Sequence, residues 1–309
     1  MAKGLLDEIT SHGDRGAVLP FSRVEDVRQD VLALKNEAFQ TSWLQKIVGW
    51  IEEDSPPLIP PDIGFVPRSL ITVVMPGSGI TIRFAYRGKQ VDCILPPQYD
   101  NHEDRNEQKL RYIRSYLKPL GFSAAALPWL PQKLLAVHAG LGLYGRNNIC
   151  YHNEFGSHIQ IMTYASDMPC GESEWHPLRR MELCESCRAC EAACPTGAID
   201  AGRRLIDADR CLTALNEFPG EFPAWLSKDA HNSIVGCIRC QACCPANAQG
   251  AKAAAADIVF SEAETTVLLN HVAGTPFTEP LAAKVEAMGI PEYAQVLPRN
   301  VAALLQKEC

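Results

Sequence analysis

Apolar residues recur every three or four positions in three stretches of the chain, as they do along one face of a helix. The first stretch runs from residue 20 to residue 51 and stops ahead of the Pro56-Pro57 pair. The second is Glu103–Leu117, which Gly121 follows, and the third is Pro131–Ala139. Each stretch predicts an amphipathic helix, and a glycine just past the end suits helix termination.

Other segments are short and β-branched, or alternate between apolar and polar residues, and these patterns favour strands. Leu70–Met75 predicts a buried strand, and His158–Tyr164 predicts a second strand by its alternation. Thr81–Leu95 alternates on both sides of Arg87-Gly88-Lys89, which predicts a hairpin. This mixture of helices and strands predicts an α+β fold.

Two cysteine motifs are the strongest chemical signal in the sequence. The first is Cys184-x₂-Cys187-x₂-Cys190-x₃-Cys194-Pro195, and the second is Cys237-x₂-Cys240-x₂-Cys243-Cys244-Pro245. The first spacing is that of bacterial ferredoxins with [4Fe–4S] clusters. Short gaps let one loop supply three thiolates to a small cubane, and the proline turns the chain away. The motifs therefore predict a protein that transfers single electrons.

Disulfide bonds and structural zinc explain the motifs less well. Disulfides need an oxidising compartment, and Met1–Gly4 leads into no apolar segment typical of a signal peptide. Zinc sites usually show two Cys-x₂-Cys pairs separated by a spacer. We therefore expect iron–sulfur clusters in a cytoplasmic protein.

Ferredoxin ligands cross between the two motifs. One cluster is expected to bind Cys184, Cys187, Cys190 and Cys244. The other takes Cys194, Cys237 and Cys240 and needs one more thiolate. Cys243 and Cys211 both qualify as the missing ligand, and spacing alone leaves the choice open.

Length and the cysteine motifs together predict the domain organisation. The chain has 309 residues, far more than the roughly 80 that a double-cluster module needs. We expect an α+β domain over residues 1–175 and a ferredoxin-like double [4Fe–4S] domain over residues 176–250. A helical C-terminal segment should occupy residues 251–309, with Leu297–Leu305 as one of its helices.

Composition limits the classes of partner. The hydrophobic fraction of 47% and charged fraction of 21% are ordinary for a soluble globular protein. The sequence has no apolar run of about 18 residues, so we expect no membrane association. A net charge of −7 and a pI near 5.7 argue against an extended basic surface that binds nucleic acid. We therefore expect nucleic acid to be an unlikely partner.

Gly140, Gly142 and Gly145 fit the pattern of a dinucleotide-binding fingerprint. Such a fingerprint must follow a strand and open a helix, whereas good helix formers from Gln132 to Ala139 precede these glycines. A helix end that continues into a binding loop for another flat or extended ligand explains them better. A purely structural turn is the alternative.

Several segments resemble the epoxyqueuosine reductases, which are related to reductive dehalogenases, and occur in that family's order. They are Ala139–Asn147 (similar to the family's AGLGWxGK loop), Gly156-Ser157, Ser166–Pro169, Leu183–Ile199, Arg210-Cys211-Leu212 and Gly236–Asn247. The resemblance implies a nitroreductase-like domain that holds base-off cobalamin beside one cluster, without a protein ligand to cobalt. It also implies that Cys211, and not Cys243, completes the second cluster.

The same resemblance implies cofactor-binding residues in the loop. Backbone access to the corrin would come from Gly140, Gly142, Gly145 and Ser157. Hydrogen bonds to the corrin amides or the substrate would come from Tyr144, Arg146, Asn147 and Asn148.

One departure from the family concerns its proposed proton donor, an aspartate about fourteen residues before the first loop glycine. Ala126 occupies that position here. Reduction of an epoxide to an alkene expels oxygen, so a general acid is expected. Tyr144 is our candidate replacement, with His138 and Asp167 as alternatives.

The sequence therefore predicts a cobalamin-dependent iron–sulfur reductase. Its electrons would come from a low-potential donor such as ferredoxin or flavodoxin. Its substrate would be a small molecule, a nucleoside or another protein's corrinoid. The alternatives are a non-catalytic ferredoxin-type carrier and a tRNA epoxyqueuosine reductase with a relocated acid.

Overall fold

The computed structural model describes residues 1–37, 39–55, 57–99, 102–247, 258–272 and 275–306. Contacts divide the chain into two units. Unit 1 comprises Met1–Pro76 and Glu103–Cys187, and unit 2 comprises Gly77–His102 and Arg188–Cys309. The domain boundaries expected near residues 175 and 250 remain predictions.

The described residues form helices and strands in both units. The strands are β1 Arg15–Pro20, β2 Ser69–Pro76, β3 Ile80–Tyr86, β4 Lys89–Leu95, β5 Ala124–Ala126, β6 Leu143–Tyr144, β7 Cys150–Tyr151, β8 Ile159–Ser166 and β9 Ile258–Phe260. The α-helices are α1 Ala2–Ser11, α2 Arg23–Ala33, α3 Ser42–Glu53, α4 His102–Leu117, α5 Gln132–His138, α6 Ala189–Ala193, α7 Leu212–Glu217, α8 Arg239–Ala242, α9 Glu262–Leu269, α10 Leu281–Ala287 and α11 Leu297–Leu305.

Unit 1 is built on an antiparallel sheet with the strand order β1-β2-β8-β5. The predicted strands Leu70–Met75 and His158–Tyr164 correspond to β2 and β8, which pair at the centre of this sheet. Both are buried along most of their length because apolar residues of α1 and α4 pack on the sheet. The predicted helices Glu103–Leu117 and Pro131–Ala139 are confirmed as α4 and α5.

The single helix expected between residues 20 and 51 is wrong, because two helices occupy the segment. Helix α2 runs into a 3₁₀ turn at Leu34–Asn36, and α3 begins at Ser42. Thr41 caps the second helix, since its hydroxyl accepts a hydrogen bond from the Leu44 amide at 3.1 Å. The apolar spacing continues across the break between α2 and α3, so the sequence pattern did not indicate the cap at Thr41.

Unit 2 contains the predicted hairpin, formed by β3 and β4. Arg87 and Gly88 both have positive φ, 50° and 72°, as the tight turn of a two-residue hairpin requires. Strand β9 adds to β3 in parallel, which the sequence did not predict. The hairpin shares one buried apolar core with the helices after residue 260 and with Ile234 and Val235.

The C-terminal segment is only partly helical. Helices α9, α10 and α11 are present, and α11 matches the predicted helix Leu297–Leu305. The expectation for residues 251–257, 273–274 and 307–309 falls outside the described residues. Within the described part of the chain, no helix has the length and apolar character that crossing a membrane requires.

Candidate metal centre

The first two cysteines of the first motif belong to unit 1. Cys184 is buried and ends a 3₁₀ turn that starts at Glu182, and the Cys187 amide donates to the Leu183 carbonyl at 3.2 Å. Arg146 is buried and its guanidinium donates to the carbonyls of Cys184 and Cys187, the latter at 3.2 Å. This contact holds the loop in a defined conformation. The expected corrin-binding residue Arg146 therefore contacts the cysteine loop.

The remaining motif cysteines belong to unit 2. Cys190 is buried within α6, and Cys194 directly follows that helix. Cys240 lies within α8, and Cys244 follows the end of α8, where its amide donates to the Gln241 carbonyl at 3.1 Å. Helices α6 and α8 are in contact with each other.

Cys194, Cys211 and Cys237 form a group of thiols that interact electrostatically. Burial raises the pKa of Cys211, and the nearby Cys194 adds to this rise. Burial also raises the pKa of Cys237, and both Cys211 and Cys194 contribute in the same direction. These effects indicate that Cys211, from the segment between the motifs, lies near one cysteine of each motif.

Backbone amides donate hydrogen bonds to these three sulfurs. Burial opposes ionisation of Cys194, but amide hydrogen bonds, including those from Ala198 and Ile199, leave its pKa lowered. Amides of Thr213 and Ala214 donate to Cys211, which precedes the first turn of α7. Clustered N–H donors favour negative charge, as thiolates bound to a cluster require.

Three side chains also contact the sulfurs. Asn232 Nδ2 donates to Cys237 Sγ at 3.2 Å. Thr196 Oγ1 lies 3.7 Å from Cys194 Sγ, and the Thr213 hydroxyl bonds to the Cys211 sulfur. Sequence reasoning missed all three. A Cys-x-Thr spacing precedes both threonines and was a usable signal, whereas Asn232 has no local signature.

Cys243 competes with Cys211 as a ligand in the sequence. It lies at the C-terminal end of α8, and its thiol donates to the Cys240 carbonyl at 3.7 Å. The pKa of Cys211 is raised in part by Cys194, and the pKa of Cys237 in part by both of these thiols. The choice between Cys211 and Cys243 as the fourth ligand stays a prediction.

The set of three thiols, Cys194, Cys211 and Cys237, differs from a site for a single metal ion. Among the described residues, no three histidine, cysteine or carboxylate side chains are placed to bind one ion. Cys194 nevertheless lies close enough to raise the pKa of both other thiols. A four-iron cubane is larger than one ion, so its ligands stand further apart.

A buried pair formed by Tyr99 and the carboxylic acid Glu217 lies near Cys211. The Tyr99 hydroxyl donates to Glu217, and burial raises the pKa of both groups. Cys211 contributes to the raised pKa of Tyr99. Gly236, with φ of 69°, lies against the Tyr99 ring. This pair was also missed from the sequence, because its two residues lie 118 positions apart.

The glycines of the loop in unit 1 are explained by contacts within the chain. Gly140 has φ of 73° and follows the end of α5, and an added Cβ would lie 2.7 Å from His176 Nε2. A Cβ at Gly142 would lie 2.6 Å from Cys150 Sγ, and one at Gly145 would lie 2.6 Å from the Tyr151 ring. Protein atoms therefore fill the space beside all three glycines.

The polar residues of the same loop have defined positions. Asn147 is buried and donates to the Tyr151 hydroxyl at 2.9 Å, and the Asn148 carbonyl accepts from Lys133 at 3.1 Å. Ser157 is fully buried. Tyr144 is partly buried against an apolar cluster, and its backbone pairs with Arg179 and Met181.

The two alternative proton donors, His138 and Asp167, form hydrogen bonds within unit 1. His138 is buried, with Nδ1 hydrogen-bonded to the His176 carbonyl at 2.6 Å and Nε2 to Asp30 at 2.8 Å. Both ring nitrogens therefore have protein partners. Asp167 accepts from the Ser123 amide at 2.7 Å. Ala126 ends the short strand β5 and pairs with Tyr164 of β8.

Comparison with known proteins agrees with this centre. A family model described as a 4Fe-4S double cluster binding domain matches residues 183–247. The epoxyqueuosine reductase of Pseudomonas aeruginosa is 35% identical over 146 residues, which cover 46% of this chain and 39% of the relative. That of Bacillus subtilis is 29% identical over 171 residues, covering 55% and 41%. The chain spans about two fifths of these relatives' lengths.

Solved structures show the same fold. An epoxyqueuosine reductase from Bacillus subtilis matches with a TM-score of 0.65 and 19% identity, covering 98% of this chain and 80% of that one. A second epoxyqueuosine reductase structure, with an epoxyqueuosine-modified tRNA stem loop, matches with a TM-score of 0.65, 18% identity and the same coverage. The expectation that nucleic acid is an unlikely partner is therefore not supported. Residues 183–247 therefore match a 4Fe-4S double cluster binding domain, and the chain is similar in sequence and fold to epoxyqueuosine reductases.

Proposed function

We propose that this protein is an iron–sulfur reductase that passes single electrons from a low-potential donor through two [4Fe–4S] clusters to a reducible substrate. The observation that supports this most strongly is the set of three neighbouring cysteine thiols in unit 2. Cys194 raises the pKa of Cys211 and of Cys237, Cys211 raises that of Cys237, and all three sulfurs accept hydrogen bonds from backbone amides. Such an environment suits thiolate ligands of a buried cluster.

Eight cysteines form the proposed ligand sets. Cluster 1 would be held by Cys184, Cys187, Cys190 and Cys244, and cluster 2 by Cys194, Cys211, Cys237 and Cys240. Thiolate-ligated clusters supply one-electron transfer at low potential when bound. The chain's own contribution is to fix the thiolates, donate hydrogen bonds to them and exclude water from the buried sulfurs.

Anaerobic reconstitution with iron and sulfide tests this function. We expect about eight irons per chain, because each cluster contains four. Reduction with dithionite should bleach the visible absorption and produce the paramagnetic resonance of reduced clusters. Tight binding of zinc in place of iron, or an iron content near zero, would contradict the proposal.

We further propose base-off cobalamin as the electron acceptor, on the similarity of the loop Ala139–Asn147 to the epoxyqueuosine reductases. A Cβ added at Gly140, Gly142 or Gly145 would meet protein atoms, so the close approach that these glycines permit is to the chain itself. Arg146 is engaged with the Cys184 and Cys187 carbonyls. The cobalamin proposal therefore rests on sequence similarity alone.

Mixing reconstituted protein with cob(II)alamin tests this second proposal. Stoichiometric retention through gel filtration with a base-off spectrum would support it. Recovery of all cobalamin in the small-molecule fraction would contradict it and leave a non-catalytic electron carrier as the simpler function. The iron content is independent of this outcome, so the two proposals can fail separately.

The match to an epoxyqueuosine reductase solved with a tRNA stem loop favours one specific substrate class. We propose epoxyqueuosine in a tRNA anticodon stem loop as the first substrate to assay. We also propose Tyr144 as the proton donor, because Ala126 occupies the position of the family's aspartate. Turnover by the wild type and its loss in Tyr144→Phe, at unchanged iron content, would support both. A wild type that fails to convert this stem loop under reducing conditions would overturn the substrate proposal.

A further inference from the structure

Side chains of unit 2 donate hydrogen bonds to three of the proposed cluster 2 ligands. Asn232 contacts Cys237, Thr196 contacts Cys194, and Thr213 contacts Cys211. A thiolate that binds iron has no proton, so each hydroxyl must then be the donor. Thr196 and Asn232 lie outside the helices, Thr213 lies in the first turn of α7, and each contacts a different ligand.

The orientation of the Asn232 amide is fixed by its surroundings. The Ile238 amide can only donate, and it lies 2.9 Å from Asn232 Oδ1. This pairing requires Nδ2 to face the other way, where it donates to the Ala230 carbonyl at 2.9 Å and to Cys237 Sγ at 3.2 Å. Both N–H bonds of Nδ2 therefore have acceptors, and one of these is the cluster ligand.

We propose that Asn232, Thr196 and Thr213 raise the reduction potential of cluster 2 by donating hydrogen bonds to its thiolate sulfurs. This inference rests on the proposed function, because it assumes that Cys194, Cys211 and Cys237 bind that cluster. One-electron reduction adds one negative charge to the cluster and its ligands, with no bond broken and no proton taken up. Hydrogen-bond donors stabilise the more negative state more strongly, so reduction becomes easier.

These donors act without ionising. Asparagine and threonine side chains do not titrate, so their effect on the potential is independent of pH. Backbone amides also donate to the sulfurs, but the course of the chain fixes those contacts. The three side chains are therefore positions at which sequence changes alter the potential of cluster 2 while its ligands are retained.

Isosteric substitutions test this role directly. Thr196→Val and Thr213→Val remove the hydroxyl and keep the shape, and Asn232→Leu removes the amide. Thr213→Ser is the conservative variant that retains a donor. Thr266→Val is the matched control, since the Thr266 hydroxyl donates to the Glu262 carbonyl within α9. The readout is the midpoint potential of each cluster, from a dithionite titration followed by paramagnetic resonance.

We expect each valine variant and the leucine variant to lower one of the two midpoints. The equilibrium constant for reduction should change by up to about tenfold, which is about 59 mV for a one-electron couple. Iron content and the other midpoint should stay at wild-type values, and the serine and control variants should match the wild type. The shifts should be equal at acidic and alkaline pH.

Two results would overturn the inference. Midpoints in the valine and leucine variants that equal those of the wild type would mean that these side chains do not affect the potential. Loss of about half the iron in these variants, with retention in Thr213→Ser, would mean that the donors hold the cluster instead of tuning it. A wild type that binds only one cluster would instead contradict the proposed function, so the two failures are distinguishable.

Discussion

Gly236 directly precedes a proposed cluster ligand and lies against the Tyr99 ring. Its φ is 69°, and a Cβ at this position would lie 2.5 Å from Tyr99 Cε2. A substitution must therefore overcome both an unfavourable backbone conformation and a steric overlap. The Asn216 side chain donates to the Gly236 carbonyl at 2.9 Å, so a displaced backbone would also lose this buried contact.

We predict that Gly236→Ala lowers stability more than Gly121→Ala. Gly121 has φ of 82° but has open space where a Cβ would be added, so it controls for the backbone effect. That effect is about 1–2 kcal/mol, and overpacking adds about 1–3 kcal/mol at Gly236. Thermal unfolding of the two variants measures the difference. Equal losses in both would contradict the role of the Tyr99 contact.

The Glu217 carboxyl predicts a specific pH dependence of stability. Burial raises the pKa of Glu217 above its ordinary value of 4.5. Its contribution to stability is therefore complete below pH 4.5 and is lost as pH rises through the higher value in the folded protein. Glu217→Gln cannot ionise and keeps an oxygen to accept the Tyr99 hydrogen bond.

We expect the difference in unfolding free energy between Glu217→Gln and the wild type to increase in favour of the variant as pH rises. Denaturant unfolding from about pH 5 to about pH 8 measures this trend. Curves that stay parallel over the whole range would mean that Glu217 has the same pKa in the folded and unfolded states.

At the scale of elements, α11 stabilises the segment between the two cysteine motifs. Asn300 is fully buried, and its side chain donates to the carbonyls of Asn216 at 2.8 Å and Ile234 at 2.6 Å. The neighbouring Arg299 donates to the Leu215 carbonyl at 2.9 Å. The C-terminal helix is thus joined by hydrogen bonds to residues that lie between the proposed ligands Cys211 and Cys237 in the chain.

We predict that Asn300→Ala destabilises unit 2 and weakens retention of cluster 2. Two buried carbonyls would each lose a donor, at a cost of about 1–3 kcal/mol each. Asn270→Ala is the matched control, because the Asn270 side chain is exposed and bonds only to the Thr266 carbonyl of its own helix among the hydrogen bonds described. The rate of iron release to a chelator measures the effect, and equal rates in the two variants would contradict it.

Much of the secondary structure followed from periodicity, and the exceptions have physical causes. Long apolar patterns predicted α4 and α5, and alternation predicted β2 and β8. Strand β9 escaped detection because its three residues pair with β3, more than 170 positions earlier in the chain. The break between α2 and α3 was missed because its main signal is the single cap at Thr41.

Prediction of the candidate site was uneven for a related reason. Cysteine spacing is local, so it identified the motif ligands directly. The association of Cys211 with Cys194 and Cys237 depends on the fold, and the residues alone left Cys211 and Cys243 as equal candidates. The loop glycines had a visible pattern, but their structural role depends on distant partners such as His176.

For the whole molecule, the core of unit 2 explains why distant parts of the chain bear on the candidate centre. The hairpin of β3 and β4, the C-terminal helices and Ile234 share one buried apolar cluster. Ile234 and Val235 lead directly to Gly236 and Cys237. Chain order gave no indication that residues 77–102 and residues after 188 belong to one unit.

The central claim is that the thiol of Cys211, from between the motifs, completes a second [4Fe–4S] cluster. The most direct measurement is iron and acid-labile sulfide per chain in reconstituted Cys211→Ser and Cys243→Ser. We predict that Cys243→Ser keeps about eight irons and that Cys211→Ser keeps about four, because one of two clusters loses a ligand. Loss of iron in Cys243→Ser alone would contradict this account.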